Sequence, residues 1–203
     1  QFGADALRLY ELFVAPFDQD VQWDNAGIQG QVRFLSRVMR LVSDWSKYYD
    51  ASWRDHIGLA DSDEVFKTIR RHTHQAIKKA TGDIERFAFN TYVSALMIYV
   101  NALSEVKEIS NEAQKLAASE AIESLILLLA PSAPHTADEL WESLGRDGFT
   151  YNQSWPEFVE ELAADDQVTI AVQVNGKLRD TIEMPAATSK EEMEGAALAS
   201  EKL

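Results

Sequence analysis

The sequence predicts a mainly α protein, a helical bundle followed by a small, truncated α+β appendage. Two observations carry this. Apolar residues recur at helical spacing from about residue 5 to residue 145. From Val168 the period changes to strict alternation (Val168, Ile170, Val172, Val174) and meets the tight-turn dipeptide Asn175-Gly176, as in a β-hairpin. The expected division is a helical domain over 1–166 and a partial second domain, hairpin plus helix, over 167–203.

Taken in order, Leu7, Tyr10 and Val14 after Asp5 mark a short amphipathic helix that Pro16 ends. Asp24 can cap a long helix with Ile28, Val32, Leu35, Met39, Val42, Trp45 and Tyr49 on one face and Arg33, Arg37, Arg40, Asp44 and Lys47 on another. A polar stretch over 50–61 separates it from a third helix, 63–80, with Phe66, Ile69, Thr73 and Ala76 or Ile77 inward and Gly82 as its stop. Asn90 is the expected cap of a fourth helix bearing Tyr92, Leu96, Tyr99, Leu103 and Val106. A fifth begins at Ser110 or Asn111. It turns apolar all round at 126–130, which places it centrally in the bundle. Pro131 and Pro134 break it, and a short sixth helix runs through Trp141 to Gly145. Beyond the hairpin, Thr188 or Ser189 followed by Glu191 and Glu192 has the spacing of a helix start. Two strands and a helix are marginal alone, so the appendage reads as truncated.

Composition excludes several function classes. With 46% hydrophobic residues among 203 the chain can bury a sizeable core, yet no apolar run approaches the roughly 20 residues of a membrane span, and a soluble, cytoplasmic protein is expected. The absence of cysteine removes disulfides, thiolate metal sites and cysteine nucleophiles. No glycine-rich phosphate loop, His-x-x-x-His pair or nucleophile elbow is present, so no catalytic and no metal-binding residue is assigned. His72 and His74 diverge on a helix, and His135 at a helix start suits a structural hydrogen bond. The His56-Ile57-Gly58 run lies in the polar stretch, and the many paired carboxylates fit solvated helical faces.

Charge is uneven. The net charge is −14, yet residues 33–86 hold eleven basic and eight acidic side chains against three and fourteen in 105–166. Arg33, Arg37 and Arg40 fall at i, i+4 and i+7, and Arg70, Arg71, Lys78 and Lys79 ride the next helix. Such stripes could follow a phosphate backbone. They equally fit an ordinary solvated face, or salt bridges to the acidic half, as in a helical protein-interaction module with no nucleic-acid role.

Gly3-Ala4-Asp5-Ala6-Leu7-Arg8 resembles the segment that opens the helical anticodon-binding domain of class I aminoacyl-tRNA synthetases. Three further segments follow in the order of the leucine, isoleucine and valine branch: Arg33-Phe34-Leu35-Ser36-Arg37-Val38-Met39-Arg40-Leu41, Phe89-Asn90-Thr91, and Leu129-Ala130-Pro131-Ser132-Ala133-Pro134-His135 with Glu139-Leu140-Trp141. Val172-Gln173-Val174-Asn175-Gly176-Lys177-Leu178-Arg179 is similar to the start of the C-terminal domain of bacterial leucyl-tRNA synthetases, which separates leucine from its sister enzymes. The lack of Cys also disfavours isoleucine enzymes with a zinc module. Thr136-Ala137-Asp138 and the insert around 50–61 depart from the pattern at helix edges.

The resemblance implies a bundle of the class I anticodon-binding type, cut from a longer ligase. Leucylation would use ATP with Mg in a part outside these residues, and this piece would hold no cofactor. Implied partners are tRNA(Leu) and the catalytic and editing domains of the same full-length chain, in a monomer with no membrane contact. Candidate tRNA contacts are Arg33, Arg37, Arg40, Arg70, Arg71, Lys78 and Lys79, joined through the resemblance by Lys177 and Arg179. A valyl or isoleucyl fragment is the alternative within the branch.

Overall fold

A computed structural model describes residues 2–60, 63–164, 167–174, 177–185, 188 and 190–199. The chain divides into two compact units, residues 1–163 and 164–203. The first is helical: α1 (Ala4–Phe13), α2 (Asn25–Trp45), α3 (Trp53–His56), α4 (Glu64–Glu85), α5 (Phe89–Ser104), α6 (Glu112–Leu129), α7 (Pro134–Ser143) and α8 (Glu160–Ala163).

The bundle closes around α6. From Ala117 to Leu129 every residue of that helix is buried, and α4, α5 and α7 pack against it. Its start is fixed as the sequence predicts: the Asn111 side chain accepts from the Gln114 amide at 2.9 Å, and Gln114 Oε1 accepts from the Ser110 amide at 2.8 Å. The first of these bonds satisfies an amide that the opening turn would leave bare, and the second ties the residue before the cap back onto the helix. Asp63 caps α4 in the same way, accepting from the Phe66 amide at 2.8 Å. Pro134 opens α7, where its missing N–H costs nothing.

Several local expectations are corrected. In α1 the buried side is Asp5, Ala6, Leu9 and Tyr10, while Leu7 and Val14 stay exposed. Rotation about the helix axis is set by the Asp5 carboxylate, which reaches into the fold for partners described below. In α2 the buried stripe is Ile28, Phe34, Val38, Leu41, Val42 and Trp45, so Met39 faces solvent. Gly82 does not stop α4, which continues to Glu85 and ends at Phe87, a non-glycine residue in the left-handed region at φ 57°. Asn90 lies one residue inside α5, whose N-cap is Ala88. The polar stretch 50–61 is not a plain loop: it holds α3 and a 3-10 turn, Ile57–Leu59, with Trp53 and Ile57 buried. One buried residue per turn is too sparse to register as a period.

Tyr10 locks α1 to the start of α2. Its ring is buried, its hydroxyl accepts from the Asp24 amide at 2.9 Å, and Trp23 packs edge-on at 5.0 Å between centroids. A Cβ on Gly27 would overlap this ring. Alanine is the better helix former by roughly 1 kcal/mol, but displacing a buried ring costs about 1–3 kcal/mol. Gly27→Ala is therefore expected to lower the urea midpoint; a raised midpoint would contradict this packing.

In the second unit β1 (Gln167–Val174) and β2 (Lys177–Pro185) form an antiparallel pair, from Gln167↔Pro185 to Val174↔Lys177, with an irregularity between Val172 and Gln173. Val172 is buried. A final helix, α9 (Lys190–Leu198), starts with Glu191 and Glu192 in its first turn. The expected turn residues Asn175-Gly176 and the candidate cap Ser189 lie outside the described residues.

Candidate nucleic-acid interface

Because α2 buries Phe34, Val38, Leu41 and Trp45, its opposite side must display what lies between them. Arg33, Arg37 and Arg40 are all exposed and form no ion pair with any described residue. Arg37 and Arg40 also border a cleft of about 540 Å³ between the end of α2 and the α5–α6 connection. Lys47 and Lys107 line the same cleft, as do the acids Asp44 and Glu108, which leaves it net positive. Lys47 rests over the Tyr48 ring, 4.8 Å from its centroid. Lys47 and Lys107 were not among the sequence candidates. Lys47 continues the polar side of the α2 sequence and could have been added, whereas Lys107 is brought there only by tertiary packing.

The second stripe is paired with carboxylates, although Lys78 and Lys79 stay exposed. Arg70 grips Glu120 of α6 through Nε at 2.7 Å and a terminal nitrogen at 3.2 Å. Lys78 pairs with Glu160, and Lys79 reaches both oxygens of the buried Asp83 at 2.6 Å, which Arg86 also contacts at 3.0 Å. Arg71 is half-buried and likewise engaged. In the second unit Arg179 is exposed, and Lys177 opens β2 opposite Val174. The structure thus sets Arg33, Arg37 and Arg40 on one open helix face and ties Arg70, Lys78 and Lys79 into ion pairs with carboxylates.

Not every carboxylate lies on a solvated face. Glu120 and Glu123 are buried in α6. Around Glu120 stand Arg70 and, 3.3 Å away, Nε2 of the buried His74, whose Nδ1 accepts from the Val159 amide at 3.0 Å. Burial alone would raise the Glu120 carboxyl, but hydrogen bonds from His74 and Arg70 and the charge of Arg70 outweigh it and hold its pKa below the ordinary value. Glu123 accepts from the Tyr49 hydroxyl and, at 3.3 Å, from Trp53 Nε1, and pairs with Arg54. Burial, then the bond to Glu123 and its charge, push the Tyr49 phenol up. His56-Ile57-Gly58 follows directly, spanning the end of α3 and the 3-10 turn that buries Ile57.

The opening tetrapeptide Asp5-Ala6-Leu7-Arg8 has a mechanical role. Asp5 is buried and accepts from the Thr136 amide at 2.7 Å, the Thr136 hydroxyl at 2.8 Å and Arg8 at 3.0 Å, with His135 Nδ1 at 2.9 Å. It clips α1 to the first turn of α7, where a carboxylate meets bare amides and the positive end of the helix. Burial opposes its ionisation, yet the bonds from His135 and Thr136 bring its pKa below the usual range. Among the described residues no cluster of three or more His, Asp or Glu could hold a metal ion.

Residues 67–194 match the family model described as the anticodon-binding domain of tRNA ligase, and the chain belongs to that family. Across its whole length it is 41% identical to the leucine-tRNA ligases of Geotalea daltonii and Herpetosiphon aurantiacus, of which it spans 24%. Among solved structures, the LeuRS of Agrobacterium radiobacter, in a ternary complex with tRNA and LeuAMS, matches 99% of this chain and 26% of its own, with a TM-score of 0.79 and 32% identity. The mainly helical fold read from the sequence and its leucine-branch resemblance are both borne out.

Proposed function

We propose that this chain is the tRNA-binding part of a leucine-tRNA ligase. It positions tRNA(Leu) while leucine is attached, with ATP and Mg, in a part of the protein outside these residues. The likeness to leucine-tRNA ligases over the whole chain carries the reading, and the open arginine face of α2 supplies a phosphate-binding surface. Guanidinium groups one helical turn apart can each meet a successive phosphate oxygen, whereas Arg70, Lys78 and Lys79 of α4 already have carboxylate partners. No described helix is long and apolar enough to cross a membrane, and a monomer working in the cytoplasm fits the reading.

The test is the reaction itself. The full-length protein with ATP, Mg and tRNA(Leu) is expected to charge leucine and to discriminate against isoleucine and valine. The 203-residue chain alone is expected to give no leucine-dependent ATP–pyrophosphate exchange. Charging with valine or isoleucine in place of leucine would overturn the assignment within the branch, and exchange by the isolated chain would overturn the division of labour.

A further inference from the structure

Exposed apolar side chains crowd at one place in the sequence: Phe2, Leu7, Phe13, Val14, Phe17, Val21 and Trp23 all lie within the first 23 residues. The fold adds a partner from far along the chain. Phe17 meets Phe87 and Phe89 with centroids 6.0 Å apart in each case, and Phe87 meets Phe89 at 5.6 Å, while Phe17 and Phe87 remain 73% and 60% exposed. Single exposed apolar residues are ordinary; a cluster of rings left in water is not.

Phe87 carries a second anomaly. It stands at φ 57°, where a glycine would be unstrained, and its ring points outward. The backbone itself is closed as a helix C-terminal turn, the Ala88 amide donating to the Asp83 carbonyl at 2.8 Å and the Phe87 amide to the Ile84 carbonyl at 3.1 Å. What that turn does not explain is a phenylalanine where glycine is usual, its ring left largely in water.

We infer that Phe17, Phe87 and Phe89, together with the Leu7 and Val14 side of α1, are the surface on which the remainder of the same full-length chain docks. This rests on the reading of the chain as one part of a longer ligase. The occupant follows from length: the chain spans 24% of the leucine-tRNA ligases it matches, so about three quarters of such a protein lies outside it. A nucleic acid is disfavoured here, since the α1 segment with its connection displays Glu11, Asp18, Asp20 and Asp24 against Arg8 alone, Asp5 being buried. An apolar, weakly acidic face suits protein. Docking here leaves the arginines of α2 as a separate surface for tRNA.

Hydroxyl-radical footprinting of the full-length protein, read by mass spectrometry, tests this without a mutation. Phe149 serves as the reference: it is the same residue type and is 53% exposed. Phe17 and Phe87 are expected to label several times more slowly than Phe149, at every protein concentration. Labelling as fast as Phe149 would overturn the inference. So would protection that disappears on dilution together with a halving of the particle mass, since the occupant would then be a second copy. Leucylation measured on the same sample reports the ligase reading separately: an active enzyme with freely labelled Phe17 and Phe87 sinks only the docking face.

Discussion

Glu120→Gln is expected to lower the stability of the helical unit by about 3–5 kcal/mol, the cost of breaking a buried ion pair by removing one partner. The glutamate is 5% exposed and holds Arg70, whose side chain is 15% exposed, and lies beside the buried His74. Removing its charge strands a guanidinium among apolar neighbours. The residual exposure of Arg70 places the loss toward the lower end of that range. For a unit of this size it corresponds to a fall in melting temperature of roughly 6–20 °C. The pH dependence gives a second signature. The Glu120 pKa is depressed on folding below its ordinary 4.5, so its contribution is fully present above that value and fades as pH falls through the folded pKa. The variant should therefore lose less stability than the wild type on acidification from neutral pH to below pH 4.5. Equal melting temperatures with parallel acid limbs would show that the network does not hold α4 to α6.

That network marks where the sequence stopped being legible. The helical bundle, the centrality of α6 and its start at Asn111 are local features, written in period and capping chemistry, and they were readable; the Asp63 cap of α4 is as local, but the sequence period places Asp63 as the first helical residue. What the acids on α6 face is not local. Glu120 and Glu123 sit among Ala and Ile, but their burial depends on Arg70 fifty residues away and on Trp53 in a stretch that read as polar. The same pairing decides the basic candidates. Spacing could not distinguish Arg33, Arg37 and Arg40, which face outward, from Arg70, Lys78 and Lys79, which have acidic partners. Helix rotation was misjudged where a polar group sets it, as Asp5 does for α1.

The second large effect concerns tRNA. For duplex nucleic acid each phosphate neutralised adds about −0.9 to the slope of log affinity against log salt, so three arginines would supply roughly −2.7. Replacing Arg33, Arg37 and Arg40 together with Ala should flatten the slope by about one unit for each phosphate left unneutralised. All three are exposed and form no ion pair with any described residue, so the fold should tolerate the change. Arg70→Ala is expected to behave in the opposite way, lowering stability while moving the slope little. The isolated chain should bind no better than roughly 10⁻⁴ to 10⁻⁶ M at physiological salt, because its net charge of −14 opposes phosphate and it spans only 24% of the ligases it matches.

One titration tests the role of the α2 arginines most directly: tRNA(Leu) against the full-length protein and its Arg33, Arg37 and Arg40 triple alanine variant across a range of salt concentrations, read by fluorescence anisotropy. The predicted result is a slope shallower by about two to three units in the variant, with an unchanged melting temperature. An identical slope in the two proteins would contradict the placement of tRNA phosphates on α2.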